Sequence, residues 1–207
     1  MTLFPISIKL ERRKCVVVGG GKVAAAKIKG LLRCGAWVTV ISPKAVSTIR
    51  TQAAAGNLTW LQRSFSPRHL RGAILTVAAT DSPGANAAVF RSCHIQKILC
   101  NSVDDPEHCD FFCPAVVTRG SLQIAISTSG RSPALAARLR REFARQFGPE
   151  WGAFVEHLGK LRQQILRTAP SAKRKRLLLQ IASPNAFRAF VRDHRSTSKR
   201  VVRKGKK

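Results

Sequence analysis

The sequence predicts an α/β fold: a parallel sheet layered with helices, followed by a small hairpin-plus-helix region and a C-terminal helical part. Three observations predict it. Cys15-Val16-Val17-Val18, Val38-Thr39-Val40-Ile41 and Ala73-Ile74-Leu75-Thr76-Val77-Ala78-Ala79 are short apolar, largely β-branched runs, the pattern of strands buried on both faces. Stretches of helical length separate them, and strands alternating with helices imply a parallel, doubly wound sheet. After residue 104 the rhythm changes to two strands around Arg119-Gly120 and then to amphipathic helices.

Taken in order, residues 3–10 read as an edge strand or a lead-in to the sheet, with Pro5 early and a polar Glu11-Arg12-Arg13-Lys14 turn after it. A helix over 23–34 ends at Gly35, a suitable C-cap. Ser42-Pro43 closes the second strand, a helix follows over 45–55, and 58–61 is a third strand. Residues 68–71 belong to a short helix, and Thr80-Asp81 stops the fourth strand. A helix over 85–93 and a strand over 98–103 complete the sheet. Strands over 111–117 and 122–127 form the hairpin. Ser132-Pro133 opens a helix with a capping residue and a proline at its first position, running to about Phe147. A further helix covers 151–166, and 173–191 carries one or two more.

The turn after the first strand carries the sharpest motif. Gly19, Gly21 and Ala24 fit G-x-G-x-x-G/A, the strand-to-helix turn of a dinucleotide-binding Rossmann fold. Gly19 permits the tight turn, Gly21 lets a pyrophosphate approach the backbone, and small Ala24 lets the helix pack on the strand. The helix N-terminus then presents unpaired N–H groups and a partial positive charge to phosphate.

Composition adds bounds. A chain of 207 residues holds one α/β domain of ordinary size and a smaller appendage. Its net charge of +27 suggests a polyanionic partner: nucleic acid, an acidic membrane surface or a carboxylate-rich substrate. Residues 171–207 carry 13 Lys/Arg against one acid, yet the remainder is basic too, so a basic arm does not account for the charge alone. The six cysteines lack secreted-scaffold spacing, and no signal peptide is recognised. Both point to a reducing cytoplasm. No apolar run is long enough to span a bilayer. Cys109 and Cys113 with His108 lack the second ligand pair of a zinc site, so they read as buried thiols or a turn, and no metal site is expected.

Four segments fall in one order: GGGKVAAAK, AATDSPGAN, NSVDDPEHCDFFCPAVVTRG and ISTSGRSPALAARLRR. Together they resemble the precorrin-2 dehydrogenase family, the dehydrogenase–chelatase module of siroheme synthesis, over residues 2–165 and more loosely beyond. The resemblance implies an NAD-binding domain at 1–113, a dimerisation hairpin and helix at 114–148, a helical domain at 149–195 and a basic tail at 196–207, expected to be disordered. It implies oxidation of precorrin-2 to sirohydrochlorin with NAD by a cytoplasmic homodimer. In some members the same site inserts ferrous iron, so iron enters as a further substrate. Multifunctional relatives carry a methyltransferase domain further on, which this chain is expected to lack.

By the same resemblance, Asp104 matches the catalytic aspartate of an N-V-V-D segment in which Ser102 replaces the usual valine. A carboxylate there suits removal of a proton from the macrocycle as hydride leaves, whereas Asp105 reads as a turn residue. Cofactor contacts are expected from Gly19, Gly21, Lys22 and Val23 at the phosphates, Pro43 and Lys44 near the adenosine ribose, and Thr80 and Asp81 toward the ribose or nicotinamide. One departure stands out: no acid follows the second strand to bind the ribose 2′-OH, so NAD rather than NADP rests on the family. Thr128, Ser129, Gly130, Arg131 and Ser132 form a second candidate anion site for substrate carboxylates, with an ordinary helix cap as the alternative; Arg119 at the hairpin turn is similarly open. The rival reading is a nucleotide-sensing or nucleic-acid-binding protein on a Rossmann scaffold with a basic C-terminal arm. The chain holds no recognisable nucleic-acid module, so nucleic acid is not an expected partner, and neither is a membrane.

Overall fold

The structure is a computed structural model that describes the backbone of residues 3–204 and side chains up to residue 194. The chain divides into two compact units, Met1–Cys113 and Pro114–Lys207. The first unit contains a five-stranded parallel sheet in the order β3-β2-β1-β4-β5. Its strands are β1 (Lys14–Val18), β2 (Trp37–Ile41), β3 (Thr59–Leu61), β4 (Leu75–Ala78) and β5 (Leu99–Ser102). Helices α1 (Lys22–Arg33), α2 (Ser47–Ala54) and α3 (Pro83–Ile95) connect them, with 3-10 turns at Pro67–Leu70 and Pro106–His108.

Strand β1 explains why the sheet sits at the centre. Its side chains alternate between faces: Cys15 and Val17 join Val38, Val40, Ala24, Ile28 and Ile49 on the side of α1 and α2. Val16 and Val18 join Val89, Cys93 and Cys100 on the side of α3. Each fully buried valine contributes about 1.5–3 kcal/mol of transfer free energy, so a β-branched run without polar alternation is stable only in this central place. Burial, with Cys34 nearby as a secondary cause, pushes the Cys15 thiol up to about 11. Such a thiol stays protonated and inert.

The second unit begins with the antiparallel hairpin β6 (Ala115–Arg119) and β7 (Leu122–Ile126). Helices α4 (Pro133–Gln146), α5 (Glu150–Thr168), α6 (Ser171–Ile181) and α7 (Pro184–Lys204) follow. Val117, Ala136 and Phe154 are its buried apolar residues among those described. An aromatic run ties the helices together: Phe147 lies 5.1 Å from Trp151, which stacks on Phe187 at 4.1 Å, and Phe187 meets Phe154 at 5.1 Å.

Several expectations shift. Residues 3–10 form no strand and serve as a lead-in. The hairpin starts at Ala115 rather than Phe111 because Pro114 has no N–H to give a ladder. Helix α3 starts at Pro83, two residues early, with Ser82 Oγ accepting the Ala85 N–H. The region 173–191 divides between α6 and α7 at Ser183-Pro184. The backbone of α7 runs to Lys204, through part of the tail expected to be disordered from residue 196, and no Gly or Pro interrupts the sequence between Pro184 and Gly205. Residues 205–207 of that tail lie outside the described residues.

Candidate cofactor and catalytic site

Strand order reverses between β1 and β4, the switch point at which open α/β sheets bind ligands beyond the carboxyl ends of their strands. Of the loops that leave those ends, the four after β1, β2, β4 and β5 carry the candidate residues, and each contributes differently.

The glycine turn follows β1. Gly19 has φ +126°, and a Cβ there would stand 2.0 Å from the Ala79 carbonyl oxygen. Its N–H donates to Ile41 O at 2.9 Å. Gly20, which the motif leaves unassigned, is equally constrained: a Cβ would stand 2.0 Å from Lys44 O and 2.7 Å from Ser42 Oγ. Gly21 differs from both. It is the N-cap of α1 in extended conformation, and nothing lies within 4 Å of where its Cβ would be. No side chain caps this end of α1 and no acid stands in its first turn. Lys22 and Val23 are exposed beside it, and Ala24 is buried against the sheet. An open, uncapped, electropositive helix end fits a dinucleotide pyrophosphate.

The loop after β2 is less accommodating. Pro43 and Lys44 are exposed, but Ser42 is buried and accepts from the Trp60 indole N–H through both Oγ and backbone O at 3.1 Å. Its hydroxyl is therefore engaged inside the fold, and no carboxylate stands where a ribose 2′-OH would bind.

After β4, Thr80 and Asp81 reach the carboxyl edge, held by a residue that sequence reasoning missed. Asn86, buried on α3, accepts from the Thr80 N–H at 3.1 Å and from Thr80 Oγ1 at 2.8 Å, and donates to Thr80 O at 3.1 Å. Thr80 Oγ1 in turn accepts from the Ser82 N–H at 3.2 Å. This amide fixes the loop whose Ala79 carbonyl abuts Gly19. An asparagine six residues after Thr80 in AATDSPGAN was the available signal.

After β5 the two aspartates separate in role. Asp104 is exposed and has φ +60°, a left-handed conformation that aspartate tolerates better than most residues. Asp105 pairs with His108, Oδ2 to Nδ1 at 2.6 Å, across the 3-10 turn. The loop is tied back to β5 by Cys109, whose thiol donates to Ser102 O at 3.1 Å and Asp105 O at 3.2 Å. Asn101 Nδ2 donates to Phe111 O at 2.9 Å. Burial pushes the Cys109 thiol up, with Asp105 adding to it, so it stays a donor rather than a thiolate. Cys113 is exposed. Among the described residues no group of three or more His, Cys, Asp or Glu gathers as a metal would require.

Gly19, Gly21, Lys22, Val23, Pro43, Lys44, Thr80, Asp81 and Asp104 thus share the carboxyl edge of one sheet. A cleft of about 940 Å³ between α1 and α2, bordered by Lys29, Leu32, Thr48 and Gln52, contains none of them.

The remaining candidates lie in the second unit. Ser129 and Gly130 take φ +52° and +79°, turning the chain into α4. Thr128 Oγ1 accepts the Ser132 N–H at 3.1 Å, and Ser132 Oγ accepts the Leu135 N–H at 3.2 Å. Arg131 is exposed. Arg119 does not stand free for a substrate carboxylate. Its Nε donates to Phe147 O at 2.8 Å, one terminal nitrogen to Ala144 O at 2.8 Å and the other to Thr118 O at 3.0 Å. A guanidinium satisfies the orphan carbonyls at a helix C-terminus and opposes its dipole, and that is its place at the end of α4.

Comparison with known proteins follows this division. A family model described as "Putative NAD(P)-binding" matches residues 6–115, more than half of the chain. The chain belongs to this NAD(P)-binding family. A second model, the central part of a sirohaem biosynthesis protein, matches residues 119–146. Among relatives, a siroheme synthase of Photorhabdus laumondii is 35% identical over 191 residues, 92% of this chain and 41% of that protein. Siroheme synthase 3 of Aeromonas hydrophila is 37% identical over 177 residues, 85% of this chain and 38% of that protein. The chain therefore spans about two fifths of the length of these relatives. A solved structure of SirC, a precorrin-2 dehydrogenase, superposes with a TM-score of 0.74 at 27% identity, covering 92% of this chain and 98% of that one. The parallel sheet and the helical C-terminal part are common to both folds.

Proposed function

We propose that the chain is an NAD-dependent precorrin-2 dehydrogenase, converting precorrin-2 to sirohydrochlorin. The observation that carries this reading is the pairing, on one sheet edge, of an open glycine turn with an exposed carboxylate in a left-handed turn, Gly21 and Asp104. The superposition on a precorrin-2 dehydrogenase over nearly that enzyme's whole length supports the choice of substrate.

In this reading Gly21, Lys22 and Val23 hold the dinucleotide pyrophosphate at the start of α1, and the Thr80–Asp81 loop, fixed by Asn86, lies toward the nicotinamide. The bound nicotinamide supplies the hydride acceptor. Asp104 takes the proton that the macrocycle releases and, being exposed, returns it to water. The dinucleotide is NAD by likeness to the dehydrogenase, since the loop after β2 carries neither the acid typical of NAD sites nor an Arg for a 2′-phosphate. Arg131, exposed at the start of α4, is the candidate for a substrate carboxylate. Ferrous iron is a second substrate to be tried with the same site, as the names of the siroheme synthase relatives suggest.

The enzyme is further read as a cytoplasmic homodimer. Each strand of the β6–β7 hairpin pairs on one side only, with Val116 exposed, and such edges invite pairing with a second copy. Six free thiols suit a reducing compartment, and no helix of the described residues is long and apolar enough to cross a membrane. The deciding experiment mixes the chain with precorrin-2 and NAD and follows NADH and the macrocycle spectrum together. Equal appearance of NADH and sirohydrochlorin is expected; dinucleotide binding without turnover sinks the reading. Repeating the run anaerobically with ferrous ion tests chelation.

A further inference from the structure

A long segregated run of charge lies on the helices of the second unit, in residues with no part in the glycine turn or the Asp104 loop. Between Glu156 and Asp193 there are nine Lys/Arg and no Asp or Glu. The stretch covers the second half of α5, all of α6 and the start of α7. Lys160, Arg162 and Arg167 on α5 and Lys173, Lys175 and Arg176 on α6 are all exposed. None of these six makes a side-chain hydrogen bond or an ion pair among the described residues. Their neighbour Arg174 behaves differently, donating from Nε to Ala169 O at 3.0 Å.

Six unspent cations on two successive helices repel one another and lower the stability of the folded unit. An anionic partner would offset that repulsion. The kind of anion follows from the apolar residues. On α6, Leu177, Leu178 and Ile181 are partly buried, and of the three leucines only Leu179 is largely exposed, at 67%. Phe154, Trp151 and Phe187 are spent on one another. A helix that docks on a lipid surface needs a free apolar face to insert, and these helices lack one. Regularly spaced phosphates in water, read by Arg and Lys without insertion, match the surface better.

Lys160 and Arg167 lie on one side of α5, and Lys173 and Arg176 on one side of α6. We propose that these exposed basic sides are a nucleic-acid-binding surface that reads phosphates and not sequence. The expectation of no nucleic-acid partner rested on the lack of a recognisable module, and a phosphate-reading helical face requires none. With no exposed aromatic platform on the face, duplex and single strand should bind alike, unlike stacking-based sites.

The test is fluorescence anisotropy of the full chain with labelled duplex and single-stranded oligonucleotides of mixed sequence, titrated across salt. Four phosphate contacts, from Lys160, Arg167, Lys173 and Arg176, predict a slope of log K against log salt of about −3 to −4. The triple variant Lys173→Gln/Lys175→Gln/Arg176→Gln should lose about half of that slope and bind about tenfold more weakly or worse. Lys160→Gln/Arg162→Gln should move both quantities in the same direction by less, and a circular dichroism melt checks that each variant folds. Precorrin-2 oxidation should be unchanged in both. Unaltered oligonucleotide binding in the triple variant overturns the proposal. So does binding to vesicles containing anionic lipid but not to oligonucleotides. A fall in precorrin-2 oxidation that tracks the lost charges also overturns it, because the face would then serve the polycarboxylate substrate.

Discussion

Two helix starts in this chain offer themselves to anions, and they are built in opposite ways. Helix α1 begins at Gly21 with no side-chain cap, open space where a Cβ would be, and no acid in the first turn. Helix α4 begins at Ser132, whose hydroxyl already accepts the Leu135 N–H, while Thr128 accepts the N–H of Ser132 itself. The first leaves its orphan donors to a ligand. The second satisfies part of its own. A helix N-terminus is therefore a weak predictor of a binding site until the capping is known, because an internal cap and an external anion compete for the same N–H groups.

The largest effect is expected from Gly19→Ala, which should prevent the open turn from forming at all. Its new Cβ would stand 2.0 Å from Ala79 O, backbone against backbone, at φ +126°. Neither β1 nor β4 has room to shift within the sheet centre, so the first unit should fail to fold cooperatively. A chemical denaturation curve with the wild-type midpoint would show that the turn is less constrained than this packing implies.

Second comes Asp104→Asn. Asparagine keeps the left-handed backbone and removes only the charge, so loss of rate reads the carboxylate and not the turn. Removing one general base costs about 10²–10⁴-fold, and cofactor affinity should hold. Asp105→Asn breaks the 2.6 Å pair with His108 and should be far milder in turnover. If Asp105→Asn is the crippled variant in stopped-flow NADH formation, the assignment is one residue out.

Third, Gly21→Asp converts the first kind of helix start into the second. The extended backbone at residue 21 suits any side chain, and nothing obstructs it. Aspartate is among the best N-caps, a few tenths of a kcal/mol better than glycine. The variant should melt at or slightly above the wild-type temperature while its affinity for NAD collapses, since its carboxylate occupies the N–H groups and repels pyrophosphate. Calorimetric titration with near-normal NAD affinity would remove the glycine turn from the cofactor site.

What the sequence made legible was local. A β-branched run, a glycine spacing and an aspartate after a strand lie within a few residues of what they determine, so β1, the turn at Gly21 and the position of Asp104 could be read directly. Gly20 and Arg119 could not. Gly20 is constrained by Lys44 O across the β1–β2 crossover, and Arg119 by carbonyls 25 and 28 residues away at the end of α4. The same residue type, an arginine at a glycine-containing turn, looks identical in sequence whether it caps a helix or waits for a carboxylate. His69 is a further case: its Nδ1 accepts from the Ser66 N–H at 3.0 Å, a contact that needs the neutral ring.

The smallest effect should come from the second helix start, and it tests whether that start is a cap alone. Ser132→Ala removes the acceptor for the Leu135 N–H, and losing a serine cap costs about 1 kcal/mol. If the loop is only a cap, the denaturation midpoint falls modestly and KM for precorrin-2 stays put. Arg131→Ala is the complementary change, since its exposed side chain supports nothing in the fold and its loss should leave the midpoint untouched. A rise in KM confined to Arg131→Ala would place substrate binding in that guanidinium while leaving Thr128 and Ser132 as structure. A comparable rise in Ser132→Ala, with unchanged stability, would mean that the α4 start receives the anion as α1 does, and the contrast between the two helix starts would fail.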